Sequence, residues 1–215
     1  MGQKINPRGF RLGTIFTWNS RWFADDRRYK DLLLEDVKLR QILEQKLKNA
    51  GLARTEIDRS INRVDITIYV TRPGVVIGRG GTGLEELKKQ LTQFLGKNKR
   101  KDSLKIELKV EPVKEPNLDA TIVAKTVADQ IAKRLPHRRV VNQAIERVMG
   151  SGARGVRIML SGRIAGAEIS RREKYQRGTV PLSTIREEID FASVPSLTKS
   201  GYIGVKVWIS KGERS

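Results

Sequence analysis

The sequence predicts an α+β protein of two domains, on three observations. Apolar and polar residues alternate strictly over residues 64–70 and 104–110, which predicts strands. Apolar residues at helical spacing lie before, between and after these segments. The segment 112–117, Pro-Val-Lys-Glu-Pro-Asn, is stiff and divides the chain near its middle. We expect helix–strand–strand–helix–turn–helix–strand in the first domain and, in the second, two helices on a mainly antiparallel sheet.

The first residues carry basic side chains without a regular period. Lys4, Arg8 and Arg11 lie among glycines and prolines, so we expect an extended arm that becomes ordered on RNA. A frayed terminus is the alternative. The predicted division of the chain is an arm at 1–17, a first domain at 18–111, a linker at 112–117, a second domain at 118–211 and a tail at 212–215.

The first domain is predicted to begin with a helix over residues 27–49. Asp25 or Asp26 can cap its start, and Gly51 follows its end. Two strands follow, at 54–61 and 64–70, and a turn at 62–63 pairs them antiparallel. The apolar side chains expected on the buried face of the helix are Leu33, Val37, Leu43 and Leu47.

A glycine-rich turn then connects two helices. Pro73 can open a short helix, and leucines at helical spacing follow from Leu84 to a stop at Gly96. Between them Gly78-Arg79-Gly80-Gly81 forms a Gly-x-x-Gly turn with a cation at its tip. Glycines let a partner approach the backbone closely, and a Gly-x-x-Gly loop can clamp four nucleotides of RNA backbone. The pattern therefore predicts an RNA contact here.

Two alternatives concern the same glycines. The plainer one is a tight turn with no ligand. The other is a dinucleotide site, because Gly78, Gly80 and Gly83 spell G-x-G-x-x-G and Asp102 lies near the distance expected for a ribose-binding acid. That fingerprint follows a strand directly and opens a parallel βαβ unit. Here Pro73 interrupts the preceding strand, and no strand is predicted before residue 54, which disfavours a nucleotide-dependent enzyme.

Composition favours a polyanion as partner. The 215 residues include 43 basic and 24 acidic ones, for a net charge of +19. Nucleic acid is the commonest large polyanion, and no apolar run approaches the ~18 residues of a membrane span. With no cysteine and one histidine, thiolate and multi-histidine metal sites are excluded, and no cofactor is expected. The start of the chain lacks the apolar stretch of a secretory signal, so we expect a cytoplasmic protein, with residence in the organelle where it is made as the alternative.

The second domain is predicted as two helices followed by four strands. Asn117 is expected to cap the first helix and Pro136 to stop it, with the second helix at 138–149. The predicted strands lie at 156–160, 164–170, 183–192 and 203–209. Arg134, Arg138 and Arg139 cluster around His137, itself expected to be structural. A second basic group lies in and around an irregular stretch at 171–179 and comprises Arg163, Arg171, Arg172, Lys174 and Arg177.

These motifs resemble a known family. The element order and the stretch Val75–Gly81 are similar to a type II KH domain. The whole chain resembles the third protein of the bacterial-type small ribosomal subunit. The stretches that carry this resemblance are Met1–Pro7, Gly9–Gly13, Ser161–Arg163, Gly166–Ile169 and Gly201–Ile209.

The resemblance implies a structural, non-catalytic role in the head of the small subunit. There the arm and second domain would hold ribosomal RNA (rRNA), and the protein would line the channel through which mRNA enters, with the fourth and fifth small-subunit proteins. The tenth and fourteenth would be neighbours. Arg138 and Arg139 match positions credited with mRNA unwinding, while Asn142 replaces a third basic residue of some members. A free KH regulator remains a further alternative.

The predicted contact residues fall into two sets. Those expected to bind RNA are Arg72, Val76, Ile77, Gly78, Arg79, Gly80, Gly81, Lys88, Lys4, Arg8, Arg11, Arg163, Arg171, Arg172, Lys174 and Arg177. Those expected at the mRNA entrance are Arg134, Arg138 and Arg139.

Overall fold

The computed structural model describes residues 4–60, 63–96 and 105–213. Its contacts divide the chain into two units. Trp18–Lys114 form the first, and the residues up to Thr17 join those from Glu115 onward in the second. The N-terminal segment predicted as a separate arm therefore folds with the C-terminal unit. None of the described helices is both long and apolar enough to cross a membrane.

The elements are numbered in chain order. The helices are α1 (Pro7–Phe10), α2 (Asp26–Lys46), α3 (Pro73–Ile77), α4 (Thr82–Gly96), α5 (Ala120–Ala132) and α6 (His137–Gly150). The strands are β1 (Ser20–Arg21), β2 (Leu52–Arg59), β3 (Arg63–Val70), β4 (Lys105–Pro112), β5 (Gly155–Gly162), β6 (Arg171–Gly178), β7 (Glu187–Thr198) and β8 (Gly201–Glu213).

The first unit contains one mixed sheet in the order β1-β2-β3-β4. Strands β2 and β3 are antiparallel, as predicted. Strand β4 runs parallel to β3, so α3, the glycine turn and α4 form the crossover between them. The short strand β1 pairs parallel to β2 and was not predicted. The core between sheet and helices includes Leu39, Leu43, Ile57, Ile66, Ile68 and Leu91.

The buried face of α2 differs from the predicted one. Leu33 and Val37 are 43% and 45% exposed. Glu35 and Asp36 are buried instead, because both carboxylates pair with the guanidinium of Arg59 on β2. This part of the helix thus buries two paired carboxylates and leaves Leu33, Leu34 and Val37 exposed.

The second unit contains an antiparallel sheet in the order β6-β5-β8-β7. Helices α5 and α6 pack against it around a core that includes Val127, Val141, Ile158, Leu160 and Val207. The cap of α5 is Asp119 rather than Asn117, since the Asp119 carboxylate accepts hydrogen bonds from the amides of Thr121 and Ile122.

Two predictions between residues 164 and 179 were wrong. The strand predicted at 164–170 is a single 3-10 turn at Ile164–Gly166, followed by residues outside any strand. The stretch predicted to be irregular is strand β6. The ladder to β5 begins at Arg171, opposite Gly162, and the chain needs the turn and loop to reverse between them.

Candidate nucleic-acid interface

The glycine turn between α3 and α4 contains two kinds of glycine. A Cβ on Gly83 would lie 2.7 Å from the carbonyl oxygen of Val76, and one on Gly78 would lie 3.0 Å from the amide nitrogen of Gly83. These two glycines let the helices approach each other. Gly80 and Gly81 have no atom within 4 Å of the added Cβ. Their backbone is therefore open on the side where a sugar-phosphate chain could approach.

Of the predicted apolar contacts at this turn, one is wrong. The side chain of Val76 is 2% exposed and belongs to the core of the unit, so it cannot contact RNA. Ile77 is 41% exposed, and Val75, which was not predicted, is 57% exposed. A five-residue helix with three successive apolar residues buries only one of them, and the sequence did not indicate which one faces the sheet.

Three cations accompany the turn. Arg79 lies at its tip, Arg72 immediately precedes α3, and Lys88 lies on α4; all three side chains are exposed. Within the described residues, none of the three forms an ion pair. Open glycine backbone, exposed apolar side chains and cations thus occur on one short segment, the combination that a single strand of RNA requires.

The basic residues of β6 divide between two faces. This strand lies at the edge of its sheet, and successive side chains alternate in direction. Glu173 and Tyr175 are half-buried, and Tyr175 packs on the core beneath α6. Arg172 and Lys174 therefore point to the opposite face. We predicted that these cations form one cluster, but the alternation of side chains along β6 places them on two faces of the sheet.

Glu173 connects β6 to the start of α6. Its carboxylate accepts hydrogen bonds from the Tyr175 hydroxyl at 2.6 Å and from Nε of Arg171 at 2.8 Å. Nε2 of His137 lies 3.0 Å away, although the pair is not aligned for a hydrogen bond. The Tyr175 hydrogen bond is the main cause that lowers the pKa of Glu173. The pKa of Tyr175 is raised, first by burial and second by this hydrogen bond, and nearby Arg138 opposes part of this rise.

The predicted mRNA-contacting cations lie at this end of α6. Arg138 and Arg139 are exposed in its first turn, and Arg134 precedes it with φ 61°. Cations at a helix N-terminus oppose the helix dipole, at about 0.3–1 kcal/mol each. The helix therefore gains no stability from these cations.

Arg11 was predicted to bind RNA, and this was wrong. Its side chain is fully buried, and burial lowers its pKa. The guanidinium donates to the carbonyl oxygens of Glu187 and Thr184 at 2.7 Å each, and of Pro7 at 3.0 Å. Arg11 therefore fixes the N-terminal segment to the C-terminal unit, through partners about 170 residues away that no local pattern reveals.

The other predicted cations of this unit remain accessible. Lys4 and Arg163 are exposed. Arg8 is half-buried and lies over the ring of Phe16, 5.3 Å from its centroid. Nε of Arg163 donates to the carbonyl of Ala167 at 2.8 Å, which orients the guanidinium. Arg171 and Arg177 are also exposed.

Both units match known families. Residues 38–118 match the KH domain, and residues 127–209 match the ribosomal protein S3 C-terminal domain. Over 99% of its length the chain is 46% identical to small ribosomal subunit protein uS3 of Desulforamulus reducens, covering 93% of that protein. It is 48% identical to uS3 of Desulfitobacterium hafniense and 45% identical to that of Bacillus thuringiensis, over 99% of the chain and 94% of each. This chain belongs to the uS3 family.

Membership of the uS3 family confirms the resemblance drawn from the sequence, including the KH domain and the α+β class. Members of the uS3 family are structural proteins and not enzymes, so the prediction of a non-catalytic protein is confirmed. No group of side chains suited to a metal ion occurs among the described residues.

The dinucleotide alternative fails on the position of its glycines. One argument against it was wrong, because strand β1 precedes residue 54. However, the fingerprint requires its first glycine directly after a strand. Here helix α3 separates the end of β3 at Val70 from Gly78, so the glycines connect two helices. Asp102, the proposed ribose ligand, lies outside the described residues.

Proposed function

We propose that this protein is a structural component of the head of the small ribosomal subunit. It binds rRNA there and lines the channel through which mRNA enters. The observation that carries this proposal is the full-length similarity to uS3 proteins in a chain of net charge +19. The protein works in the cytoplasm, as part of the ribosome.

The two units divide the RNA contacts. In the first, the open backbone at Gly80 and the exposed side chains of Val75, Ile77 and Arg79 bind a single strand. In the second, exposed cations on β6 and on the turn after β5 hold rRNA, together with Lys4 and the N-terminal segment. The protein partners are the fourth and fifth small-subunit proteins at the channel, and the tenth and fourteenth in the head.

We propose that the start of α6 is the part of the protein that unwinds structured mRNA. Arg138 and Arg139 present two cations in the first helical turn, and Arg134 supplies a third. Asn142 is exposed one turn further on, where a basic residue would extend this surface. The present chain therefore unwinds hairpins less strongly than an Asn142→Lys variant.

The test compares charge reversals at the two ends of one helix. Arg139→Glu places an anion in the first turn of α6, and Arg147→Glu places one in the last turn, where the native arginine is also exposed. We expect ribosomes with Arg139→Glu to translate a hairpin-bearing message several-fold more slowly and an unstructured message normally. Ribosomes with Arg147→Glu should translate both normally. Equal effects of the two reversals would contradict the assignment.

A further inference from the structure

A cavity of about 440 Å³ lies in the C-terminal unit beside the start of α6. Three segments enclose it: the loop after α5 at Arg134–His137, the turn after β5 at Arg163–Gly166, and the β7–β8 hairpin turn at Thr198–Ser200. Its volume lies in the range of pockets that bind small molecules. Its buried apolar lining consists of Ile131, Leu160, Ile164 and Ile203.

The rim of this cavity is cationic. Arg134, Arg163 and Lys199 line it, one from each enclosing segment, and all three are exposed. No acidic side chain lines the cavity in the part of the chain that the structure describes. An apolar floor beneath three cations complements a ligand with one apolar face and one concentrated negative charge.

The backbone around the cavity is strained. Among the described residues, only Arg134 and Ala165 are non-glycine residues with positive φ, at 61° and 57°, and both line this cavity. Such conformations cost free energy and concentrate at ligand sites. Glycine at either position would relieve the strain, yet neither residue is glycine. The fold therefore keeps two strained turns, and these turns place Arg134 and Arg163 on the same rim of the cavity.

We propose that this cavity binds one nucleotide, with its base on the apolar floor and its phosphate against Arg134, Arg163 and Lys199. The ligand is a nucleoside monophosphate, either free or as an extruded residue of bound RNA. The second case rests on the proposed RNA-binding function. A peptide strand fits less well, because its backbone N–H and C=O groups would meet an apolar floor without partners.

The free nucleotide is tested by NMR titration of the ¹⁵N-labelled full chain with AMP, adenosine and inorganic phosphate. We expect saturable shifts from AMP at the amides of Ala165, Gly166 and Ser200. Adenosine and phosphate, each lacking half of the ligand, should bind at least tenfold more weakly. Absence of saturable AMP shifts at these amides would overturn binding of the free nucleotide.

Variants locate the site. Ser200→Phe places a ring in the cavity from a half-buried position of the hairpin turn and should abolish the AMP shifts without lowering the thermal midpoint. Arg134→Asn removes one rim cation with a residue that tolerates positive φ, and should weaken AMP about tenfold. Lys133→Asn removes the neighbouring cation, which does not line the cavity, and should leave AMP affinity unchanged. Equal effects at 133 and 134 would refute the site.

Bound RNA is tested with a hairpin that carries one bulged 2-aminopurine and with the same hairpin without the bulge. Extrusion of the base should raise 2-aminopurine fluorescence on binding. Ser200→Phe should bind the bulged hairpin about tenfold more weakly, which is the contribution expected from one bound base, and should bind the other hairpin as the native chain does. If neither hairpin binds the native chain, the proposed RNA-binding function is wrong. If both bind equally and without a fluorescence rise, only the extruded-base inference is wrong.

Discussion

Removal of Arg59 should destabilise the first unit far more than removal of Arg63, although both arginines contact two carboxylates. Arg59 donates to Glu35 and Asp36 at 2.8 Å, and the three side chains are 4–6% exposed. Arg63 contacts Asp65 and Glu107 at 2.7 and 2.8 Å, but its side chain is 47% exposed. Burial thus distinguishes two otherwise similar arrangements.

The magnitude follows from the charges that would remain. Arg59→Met leaves two buried carboxylates without their cation, and breaking a buried pair in this way costs about 3–5 kcal/mol. Asp36 would still accept hydrogen bonds from Nε1 of Trp22 and the Ser20 hydroxyl, which places the loss below the sum of two broken pairs. Arg63→Met removes the cation from two carboxylates that are already 29% and 48% exposed to water, where such pairs contribute little.

The assay is urea unfolding, read by hydrogen exchange in α2 so that the first unit is monitored separately from the second. With a typical slope near 2 kcal/mol per molar urea, Arg59→Met should lower the midpoint by roughly 2 M. Neutralising the carboxylates as well, by Glu35→Gln and Asp36→Asn, should recover part of this loss. Equal midpoints for Arg59→Met and Arg63→Met would refute the burial argument.

Three further predictions concern the turn, the carboxylate on β6 and the N-terminal segment. Asp at both Arg79 and Gly80 should weaken single-stranded RNA binding at least tenfold by repulsion of phosphate, while assembly into ribosomes, measured by sedimentation, continues. Because the pKa of Glu173 is lowered in the folded state, the ionised carboxylate contributes its full stability above the unfolded-state pKa. This contribution is lost as the pH falls through the lowered folded-state pKa. Between pH 7 and pH 3, the urea midpoint should therefore fall less in Glu173→Gln than in the native chain. Arg11→Ala should release α1 from the C-terminal unit, seen as faster hydrogen exchange at residues 8–10, whereas Lys4→Ala should not.

Local patterns predicted most of the fold because their causes are local. Alternation defined strand β3, and Pro73 with the glycines after Ile77 defined a helix–turn–helix, since both signals depend on neighbouring residues. The same applies to the exposed cations of the turn. Arg79 belongs to no periodic apolar pattern, so we expected its side chain to be exposed, and it lies at the exposed tip of the turn.

Tertiary contacts decided which side chains face inward. Val76 rather than Val75 is buried because the sheet lies on one side of α3, and β6 separates Arg172 from Glu173 because an edge strand has two faces. The residues next to Arg11 in the sequence predict an exposed cation. In the structure, carbonyl oxygens from residues 181–187 surround its guanidinium. The sequence by itself determined the order of elements and the location of charge. Only the folded chain, by bringing distant backbone acceptors to one side chain, determined which charges remain available to RNA.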